Sequence, residues 1–204
     1  MVLLKKGIEK IGFKLDEKLE KNLSLYLSEL KLWEKRGLVK AGGDDLIVRH
    51  FLDCIAAFPY FPPLNKAKCA DLGSGAGFPG LLAALFFPEA DVSLIERKQS
   101  RAAFLSNYIS LAGIGARTRS LALSAEDLTG CFDYVMFRAF RPVSAILDLL
   151  TSFLNIGSTI ISMQGKKAGA EQDASLFNDY KTEIIPVYPP YLDEERHLLI
   201  IGDR

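Results

Sequence analysis

The segment CADLGSGAGFPGLLAAL, residues 69–85, constrains the fold of this chain more than any other part of its sequence. A short apolar stretch ends near Asp71, four glycines and a proline follow it, and an apolar run begins directly afterwards. This order predicts a strand, a tight loop and a helix, with Pro79 in the first helical turn, where its missing N–H is no loss. A turn needs one or two glycines, so four of them indicate that something approaches the loop backbone closely.

Strands alternate with helices from residue 67 onward. The predicted strands cover residues 68–73, 91–96, 116–123, 132–140 and 158–165. The predicted helices cover residues 79–87, 98–113, 142–154 and 169–180. Residues 183–202 read as two strands around a turn, with no helix between them. The pattern therefore predicts an α/β fold with a doubly wound, mainly parallel sheet and an antiparallel C-terminal edge.

The chain begins with a segment that is predicted to be helical to about residue 60. Apolar side chains from Leu15 to Trp33 recur at spacings of three and four, which is typical of an amphipathic helix. A second helix is expected from residue 46, where Asp44 or Asp45 could act as its N-cap.

The length of 204 residues suggests one domain with an appendage. We expect an N-terminal helical extension, residues 1–62, packed on an α/β domain, residues 63–204. Equal numbers of basic and acidic residues, 25 of each, exclude a bulk polycation, so any affinity for nucleic acid must come from a local patch.

The sequence carries no apolar run of the roughly 18 residues that a membrane span needs, and its start does not resemble a signal peptide. Three scattered cysteines, Cys54, Cys69 and Cys131, are predicted to be buried free thiols in a reducing cytoplasm. With two histidines and no Cys/His cluster, no metal site is expected. We also expect a monomer.

The glycine loop matches two kinds of cofactor site. GAGFPG, residues 75–80, fits the GxGxxG dinucleotide pattern of a nicotinamide dehydrogenase. The wider pattern, with Asp71 two residues before Gly73, resembles the first motif of class I S-adenosylmethionine-dependent methyltransferases. In these enzymes the loop glycines (Gly73, Gly75 and Gly77) pass under the cofactor, and the acid helps to hold its ammonium group. Glu96 ends the next strand and suits ribose hydroxyls in either family, whereas Asp71 and the antiparallel edge favour a methyltransferase. A tight turn without a ligand is the remaining alternative.

The methyl acceptor is expected beside the strand FDYVMFRAF, residues 132–140. No Asn/Asp-Pro-Pro-aromatic loop follows this strand, Cys131 precedes it, and no catalytic base is apparent. Guanine N7 carries an in-plane lone pair and needs no deprotonation, so alignment of acceptor, methyl and sulfur could provide most of the catalysis. Arg138 and Arg141 could anchor phosphate or reach guanine O6, and a structural ion pair is the alternative for Arg138.

The chain resembles the small-subunit ribosomal RNA methyltransferase G family, also called glucose-inhibited division protein B. The resemblance runs nearly from end to end, through LW, VRHFLDC, DLGSGAGFPG, SRAAFL, SAEDL, FDYVMFRAF and ERHLLII. It implies transfer of a methyl group from S-adenosylmethionine to N7 of a guanine in 16S ribosomal RNA, in the bacterial cytoplasm. The partner would be this RNA or an assembling small ribosomal subunit.

The resemblance also implies roles for individual residues. Gly73 and Phe78 would line the cofactor, Ala125 and Glu126 would bracket its adenine, and Arg138 would reach the cofactor or the acceptor. A further set, Arg49, His50 and Asp53, would lie near the pocket. His50 could act in catalysis or be an ordinary core histidine, and His197 is expected to be structural.

Two segments depart from the family pattern. GLVKAGG, residues 37–43, replaces the usual segment after the tryptophan, and Gln164 replaces a lysine that is common at the end of the fifth strand, with Lys166 and Lys167 displaced just beyond it.

The RNA is expected to bind at one rim of the sheet, because ligands of such folds lie outside the carboxyl ends of the strands. The basic residues predicted there are Arg49, Arg97, Lys98, Arg101, Arg138, Arg141, Lys166 and Lys167. We expect the acidic residues elsewhere on the surface. Two further functions stay open: a methyltransferase acting on a small molecule, and a nucleotide-dependent RNA-binding module without catalysis.

Overall fold

The computed structural model describes residues 1–34, 38 and 42–202. Most of the segment GLVKAGG, which departs from the family pattern, lies outside the described residues. The N-terminal part consists of α1 (Val2–Ile11), α2 (Glu17–Glu34), α3 (Gly43–Leu46), a π-helical stretch (Ile47–Leu52), α4 (Asp53–Ile55) and a short 3₁₀ helix (Phe58–Tyr60).

The caps of these helices differ from the prediction at one place. The carboxylate of Asp16 accepts a hydrogen bond of 2.7 Å from the backbone N–H of Leu19 and so caps α2. Helix α3 begins after Gly42 without a side-chain cap, and Asp44 and Asp45 both lie inside its first turn. The prediction that one of them is the N-cap is wrong. Their negative charges instead interact favourably with the positive, N-terminal end of the helix dipole.

Seven strands form one sheet in the order β3-β2-β1-β4-β5-β7-β6. Their bounds are β1 Lys68–Leu72, β2 Asp91–Ile95, β3 Thr118–Leu121, β4 Tyr134–Arg138, β5 Thr159–Gln164, β6 Lys181–Val187 and β7 Arg196–Gly202. Strands β1 to β5 pair in parallel, whereas β7 is antiparallel to both β5 and β6. The predicted doubly wound sheet with an antiparallel C-terminal edge is confirmed.

Four helices cover the sheet, and their bounds are α5 Gly80–Phe86, α6 Gln99–Ala112, α7 Leu147–Asn155 and α8 Lys167–Ala174. Pro79 is the N-cap of α5 and therefore precedes the first turn in which it was expected. Helix α8 begins two residues earlier and ends six residues earlier than the predicted 169–180. Ser175 closes α8, and a turn then leads to β6.

Two apolar clusters fill the two faces of the sheet. One includes Val135, Leu150 and Phe153, and it lies under α7. The other joins the N-terminal helices to the sheet, because Leu4, Tyr26 and many residues of α5 and α6 belong to it. The division at residue 62 stays a prediction, and the two parts share this core.

One tyrosine ties the N-terminal helices to the glycine loop. The Tyr26 side chain of α2 is fully buried, and its hydroxyl donates to the carbonyl oxygen of Ala76 at 2.5 Å. The hydroxyl of Tyr108 on α6 donates back to the carbonyl oxygen of Asn22 at 2.8 Å. The N-terminal helices therefore hold the loop that the sequence marks as the binding element.

Cys54 and Cys69 are buried free thiols, as predicted, but Cys131 is exposed. The prediction that Cys131 is buried is wrong, because the loop ahead of β4 in which it lies is exposed to solvent. No helix within the described ranges is long and apolar enough to cross a membrane.

Candidate active site

The glycine loop follows β1 and takes a backbone path that few other residues could follow. Gly73, Gly75 and Gly77 have φ angles of 69°, 58° and 103°, in the left-handed region that disfavours a Cβ atom. The backbone N–H of Ser74 donates to the carbonyl oxygen of Ile95 at 3.0 Å, which holds the loop against the end of β2.

The three glycines differ in what surrounds them. The ring of Phe140 lies against Gly73, where a Cβ atom would clash with it. A Cβ on Gly77 would lie 2.5 Å from the Tyr26 hydroxyl, so Gly77 allows α2 to approach the loop. Around Gly75 the nearest atoms to such a Cβ are 3.7 and 3.9 Å away, which leaves open space above its backbone. Gly73 and Gly75 therefore remain candidates for contact with a ligand, whereas Gly77 packs against the protein.

Asp71 lies beneath the loop. Its side chain has no exposed surface, and one carboxylate oxygen accepts a hydrogen bond of 3.0 Å from the backbone N–H of Gly80. Its other oxygen has no hydrogen-bond partner in the described part of the chain. Burial raises the pKa of Asp71 to about 7. Asp71 thus fixes the start of α5, and its predicted contact with a cofactor ammonium group stays a prediction.

A cavity of about 300 Å³, the loop cavity, opens beside the glycine loop at the carboxyl ends of β1, β2 and β3. Its lining residues include Gly73, Glu96, Arg97, Lys98, Arg101, Ala125, Glu126, Phe140 and Arg141. Four of the residues predicted to bind the cofactor, Gly73, Glu96, Ala125 and Glu126, are thus brought together in this cavity. Phe78 lies elsewhere, stacked on Tyr26 with a centroid distance of 5.6 Å.

Glu96 is the best positioned acid of the loop cavity. Its side chain is almost buried, with 5% relative exposure for the residue. One carboxylate oxygen accepts from the N–H of Gly75 at 3.0 Å, and the other accepts from the N–H of Lys98 at 2.8 Å. These bonds fix the carboxylate, and each oxygen keeps a lone pair for a further donor.

Ala125 and Glu126 form the opposite wall in a short 3₁₀ helix, Ala125–Asp127, after β3. Ala125 is buried, and the carboxylate of Glu126 is exposed and ion-paired with Arg141. The hydrogen bond from Arg141 lowers the pKa of Glu126. This pair joins the segment after β3 to the segment after β4 across the mouth of the cavity.

A second cavity of about 430 Å³, the β4–β5 cavity, lies beside the first. Its walls come from β4, β5, β7, α8 and the end of the N-terminal helices, and they include Asp53, Arg138, Ser162, Gln164, Asp173, Arg196 and His197. Ala139, Phe140 and Arg141 line both cavities. This three-residue segment therefore separates the two spaces, a role that the motif RAF did not reveal.

A buried acid anchors Arg138. Asp53 has 2% relative exposure, and its two oxygens lie 3.1 Å from a guanidinium nitrogen of Arg138 and 2.8 Å from one of Arg196. Arg138 also donates to the carbonyl oxygen of Arg49 at 2.7 Å and to the sulfur of Cys54 at 3.3 Å. The structural ion pair that the sequence left open for Arg138 is present, although Arg138 also lines the β4–β5 cavity. Sequence reasoning missed Arg196, for which the only signal was a charge at the start of an otherwise apolar strand.

His50 lies outside both cavities, half-buried against the ring of Phe78 at a centroid distance of 5.3 Å. Burial lowers its pKa to about 4, and the positive charges of Arg138 and Arg49 add to this effect. The imidazole is therefore neutral near pH 7, and its predicted role in catalysis stays a prediction. His197, by contrast, forms a hydrogen bond of 2.9 Å between its ring and the carbonyl oxygen of Gly165, as a structural residue would.

The predicted basic rim is present, but acidic residues share it. Arg141 pairs with Glu126, Arg49 lies 2.7 Å from Glu194, and Lys167 lies 3.4 Å from Glu171. The expectation that acids lie elsewhere is wrong, because the loops after the strands carry both signs of charge. The rim cations without an ion pair among the described residues are Arg97, Lys98 and Lys166.

The family model of rRNA small subunit methyltransferase G (GidB) matches residues 19–199, which is most of the chain. The chain belongs to the rRNA small subunit methyltransferase G family. The match covers most of α2, the lining residues of both cavities, β6 and the first part of β7, so the whole candidate site lies within the family region.

Named members of the methyltransferase G family are similar to this chain over most of both sequences. Ribosomal RNA small subunit methyltransferase G of Treponema pallidum is 36% identical over 187 residues, 88% of this chain and 83% of that protein. The protein of the same name from Polynucleobacter asymbioticus is 31% identical over 208 residues, 98% and 94% of the two chains.

Solved structures support the fold of this family member. Precorrin-6y C5,15-methyltransferase from Geobacter metallireducens superposes with a TM-score of 0.61 at 13% identity, over 80% of this chain and 94% of that one. The tRNA (m1A58) methyltransferase TrmI from Aquifex aeolicus superposes with a TM-score of 0.56 at 14% identity, over 74% and 67%. At such identities the similarity shows the class I methyltransferase fold alone.

Proposed function

We propose that this chain transfers the methyl group of S-adenosylmethionine to N7 of a guanine in 16S ribosomal RNA. The observation that carries the proposal is the pair of cavities at the carboxyl edge of the sheet, separated by Ala139, Phe140 and Arg141. Class I folds bind ligands at this edge. In a member of the methyltransferase G family, the loop cavity suits the methyl donor and the β4–β5 cavity suits the acceptor base.

The residues of the loop cavity fit S-adenosylmethionine. Gly75 leaves open space above its backbone, and the fixed carboxylate of Glu96 has lone pairs for two ribose hydroxyls. Ala125 and Glu126 supply an apolar surface and a polar group for the adenine. When bound, the cofactor supplies an electrophilic methyl group on a sulfonium centre. Asp71, with an unpartnered buried oxygen, holds the loop from below.

The reaction proposed for the β4–β5 cavity needs no general base, although the carboxylate of Asp173 and the imidazole of His197 line this cavity. The imidazole of His50 lies outside the cavity and is neutral, and the thiol of Cys54 is fully buried with its pKa raised to about 12 by burial. Guanine N7 needs no deprotonation before it attacks a methyl group. In this mechanism Arg138 is held by Asp53 and Arg196, Phe140 lies where the two cavities adjoin, and catalysis comes from alignment of the acceptor with the methyl group.

We place the RNA on the rim formed by the loops after β2, β4 and β5, where Arg97, Lys98 and Lys166 are exposed and have no ion pair with any residue that the structure describes. The substrate is 16S ribosomal RNA or an assembling small subunit in the bacterial cytoplasm, and the enzyme acts as a monomer. The N-terminal helices, residues 1–62, act as a support for the loop and for Arg138.

The test is methyl transfer from radiolabelled S-adenosylmethionine to small-subunit RNA from cells that lack this gene, followed by mapping of N7-methylguanosine. We expect one guanine to be labelled, and no label with Glu96→Ala. RNA that binds without becoming labelled would indicate a binding module. Labelling of small molecules alone, with no salt-dependent binding of RNA, would indicate a methyltransferase that acts on a small molecule.

A further inference from the structure

One wall of the β4–β5 cavity carries polar groups that the proposed mechanism leaves unused. The side-chain nitrogen of Gln164, at the end of β5, donates to the hydroxyl of Ser162 at 2.8 Å and to a carboxylate oxygen of Asp173 at 2.9 Å. Ser162 has no exposed surface, and all three residues line the cavity. An amide can donate to a carboxylate only through its NH₂ group, so the orientation of Gln164 is fixed.

Asp173 has an unusual environment for a carboxylate. It is half-buried on α8, and no Lys, Arg or His within the described ranges forms an ion pair with it. The only hydrogen bond that its carboxylate accepts from the described residues comes from Gln164, so the second oxygen and the remaining lone pairs are free. Burial raises the pKa of Asp173, and the hydrogen bond from Gln164 opposes this rise. A held, unpaired carboxylate in a cavity is suited to a ligand that presents N–H donors.

We propose that Asp173, oriented by Gln164, accepts hydrogen bonds from N1–H and the 2-amino group of the target guanine and so selects guanine and favours its methylation. This inference rests on the proposed function. Guanine presents these two donors side by side, which matches the spacing of two carboxylate oxygens. Adenine presents a lone pair at N1 and would be repelled by the carboxylate.

The same contact favours the chemical step. The N7 lone pair forms the new N–C bond while the C–S bond breaks and its electron pair stays on sulfur. The positive charge therefore leaves the sulfonium and appears on the purine. A carboxylate on the opposite edge of the purine stabilises this charge as it develops, and such stabilisation raises the rate. The volume of about 430 Å³ lies within the range of small-ligand sites, so it can hold a base turned out of its stack.

The first test compares Asp173→Asn with the parent protein on small-subunit RNA lacking the modification, at the guanine mapped as above. Asparagine keeps the size of the side chain and an oxygen that can accept from Gln164, but it removes the charge. We expect a fall in kcat of about 10- to 100-fold, with unchanged affinity for S-adenosylmethionine in calorimetry. Asp179→Asn, an exposed carboxylate after the same helix, is the matched control and should leave kcat unchanged.

The second test replaces the target guanine by inosine, which keeps N7 and N1–H but lacks the 2-amino group. The parent should methylate this RNA several-fold more slowly than the guanine RNA. The penalty should shrink in Asp173→Asn, because the partner of the amino group is altered. Equal rates of the parent on guanine RNA and inosine RNA would overturn the inference, and this comparison does not depend on whether the variant folds. An unchanged kcat of a folded Asp173→Asn would also overturn it. Failure of the proposed function would look different, since the parent would then label neither RNA.

Discussion

At the scale of single residues, Glu96 is the side chain on which cofactor binding depends most directly. Hydrogen bonds to charged groups contribute roughly 1.5–3 kcal/mol each. Glu96→Ala removes the predicted contacts to ribose and also the acceptor for the N–H groups of Gly75 and Lys98. We expect the affinity for S-adenosylmethionine in calorimetry to fall by at least ~10-fold. Glu89 is an exposed acid, so Glu89→Ala serves as the control. A change in affinity of less than twofold for Glu96→Ala would show that Glu96 does not contact the cofactor.

His50 makes a prediction about pH. Its pKa in the folded protein, about 4, lies below the ordinary value of 6.5, so the unfolded chain binds a proton between these pH values and the folded one does not. The stabilisation is therefore complete above about pH 6.5 and is lost as the pH falls toward 4. As the pH falls through this window, the free energy of unfolding should decrease less steeply in His50→Gln than in the parent. The two slopes should differ by at most about 1.4 kcal/mol per pH unit. Parallel curves for parent and variant, measured by urea unfolding, would contradict this.

At the scale of elements, the glycine loop performs two tasks that single substitutions can separate. Gly75→Ala adds a methyl group into open space, and its positive φ costs about 1–2 kcal/mol. Gly77→Ala, at a φ of 103°, costs at least as much in the backbone and also forces a methyl group against the hydroxyl of Tyr26. We expect Gly77→Ala to lower the melting temperature more than Gly75→Ala, and Gly75→Ala to weaken cofactor binding at a temperature where both are folded. A lower melting temperature for Gly75→Ala than for Gly77→Ala would mean that the close contact between Gly77 and α2 is not important for stability.

The junction of α4, β4 and β7 depends on Asp53. Removing the charge from Asp53 leaves the Arg138 guanidinium without an acidic partner in the described part of the chain, whereas Arg196 keeps Glu194 at 2.9 Å. Breaking such a buried pair typically costs about 3–5 kcal/mol. Asp53→Asn should therefore destabilise the protein strongly in urea unfolding, while the exposed Asp45→Asn should change stability little. A loss of activity in Asp53→Asn without a loss of stability would indicate instead that Asp53 acts only by orienting Arg138.

At the scale of the whole molecule, the sequence predicted the fold well because the sheet is encoded locally. Alternating apolar strands and helices give the topology, and the glycines give the loop. The site was predictable where a motif places residues next to one another at a strand end, as with Gly73, Glu96 and Ala125. It was not predictable where contacts join distant segments. The bonds of Asp53 to Arg138 and Arg196, the burial of Asp71, and the Gln164–Asp173 pair arise from packing of separate elements.

The same limit applies to the proposed RNA rim, where the sequence predicts exposed cations after the strands but not the acids that pair with some of them. Lys166 has no ion pair among the described residues, whereas Lys167 lies 3.4 Å from Glu171. Each lost phosphate contact should reduce the slope of log affinity against log salt by roughly 0.7–0.9. We therefore expect Lys166→Ala to reduce the slope by about this amount, and Lys167→Ala to reduce it less. Lys68 lies at the start of β1, at the amino ends of the parallel strands, so Lys68→Ala should leave the slope unchanged.

The measurement is RNA binding at several salt concentrations, with cofactor affinity recorded in parallel to show that the loop cavity is intact. If all three variants keep the slope of the parent, the loop after β5 lies off the RNA path. Arg97 and Lys98, the unpaired cations beside the loop cavity, would then have to carry the phosphate contacts. The charge balance of zero makes this a sharp test, because a chain without excess positive charge depends on a local cluster of cations to hold RNA.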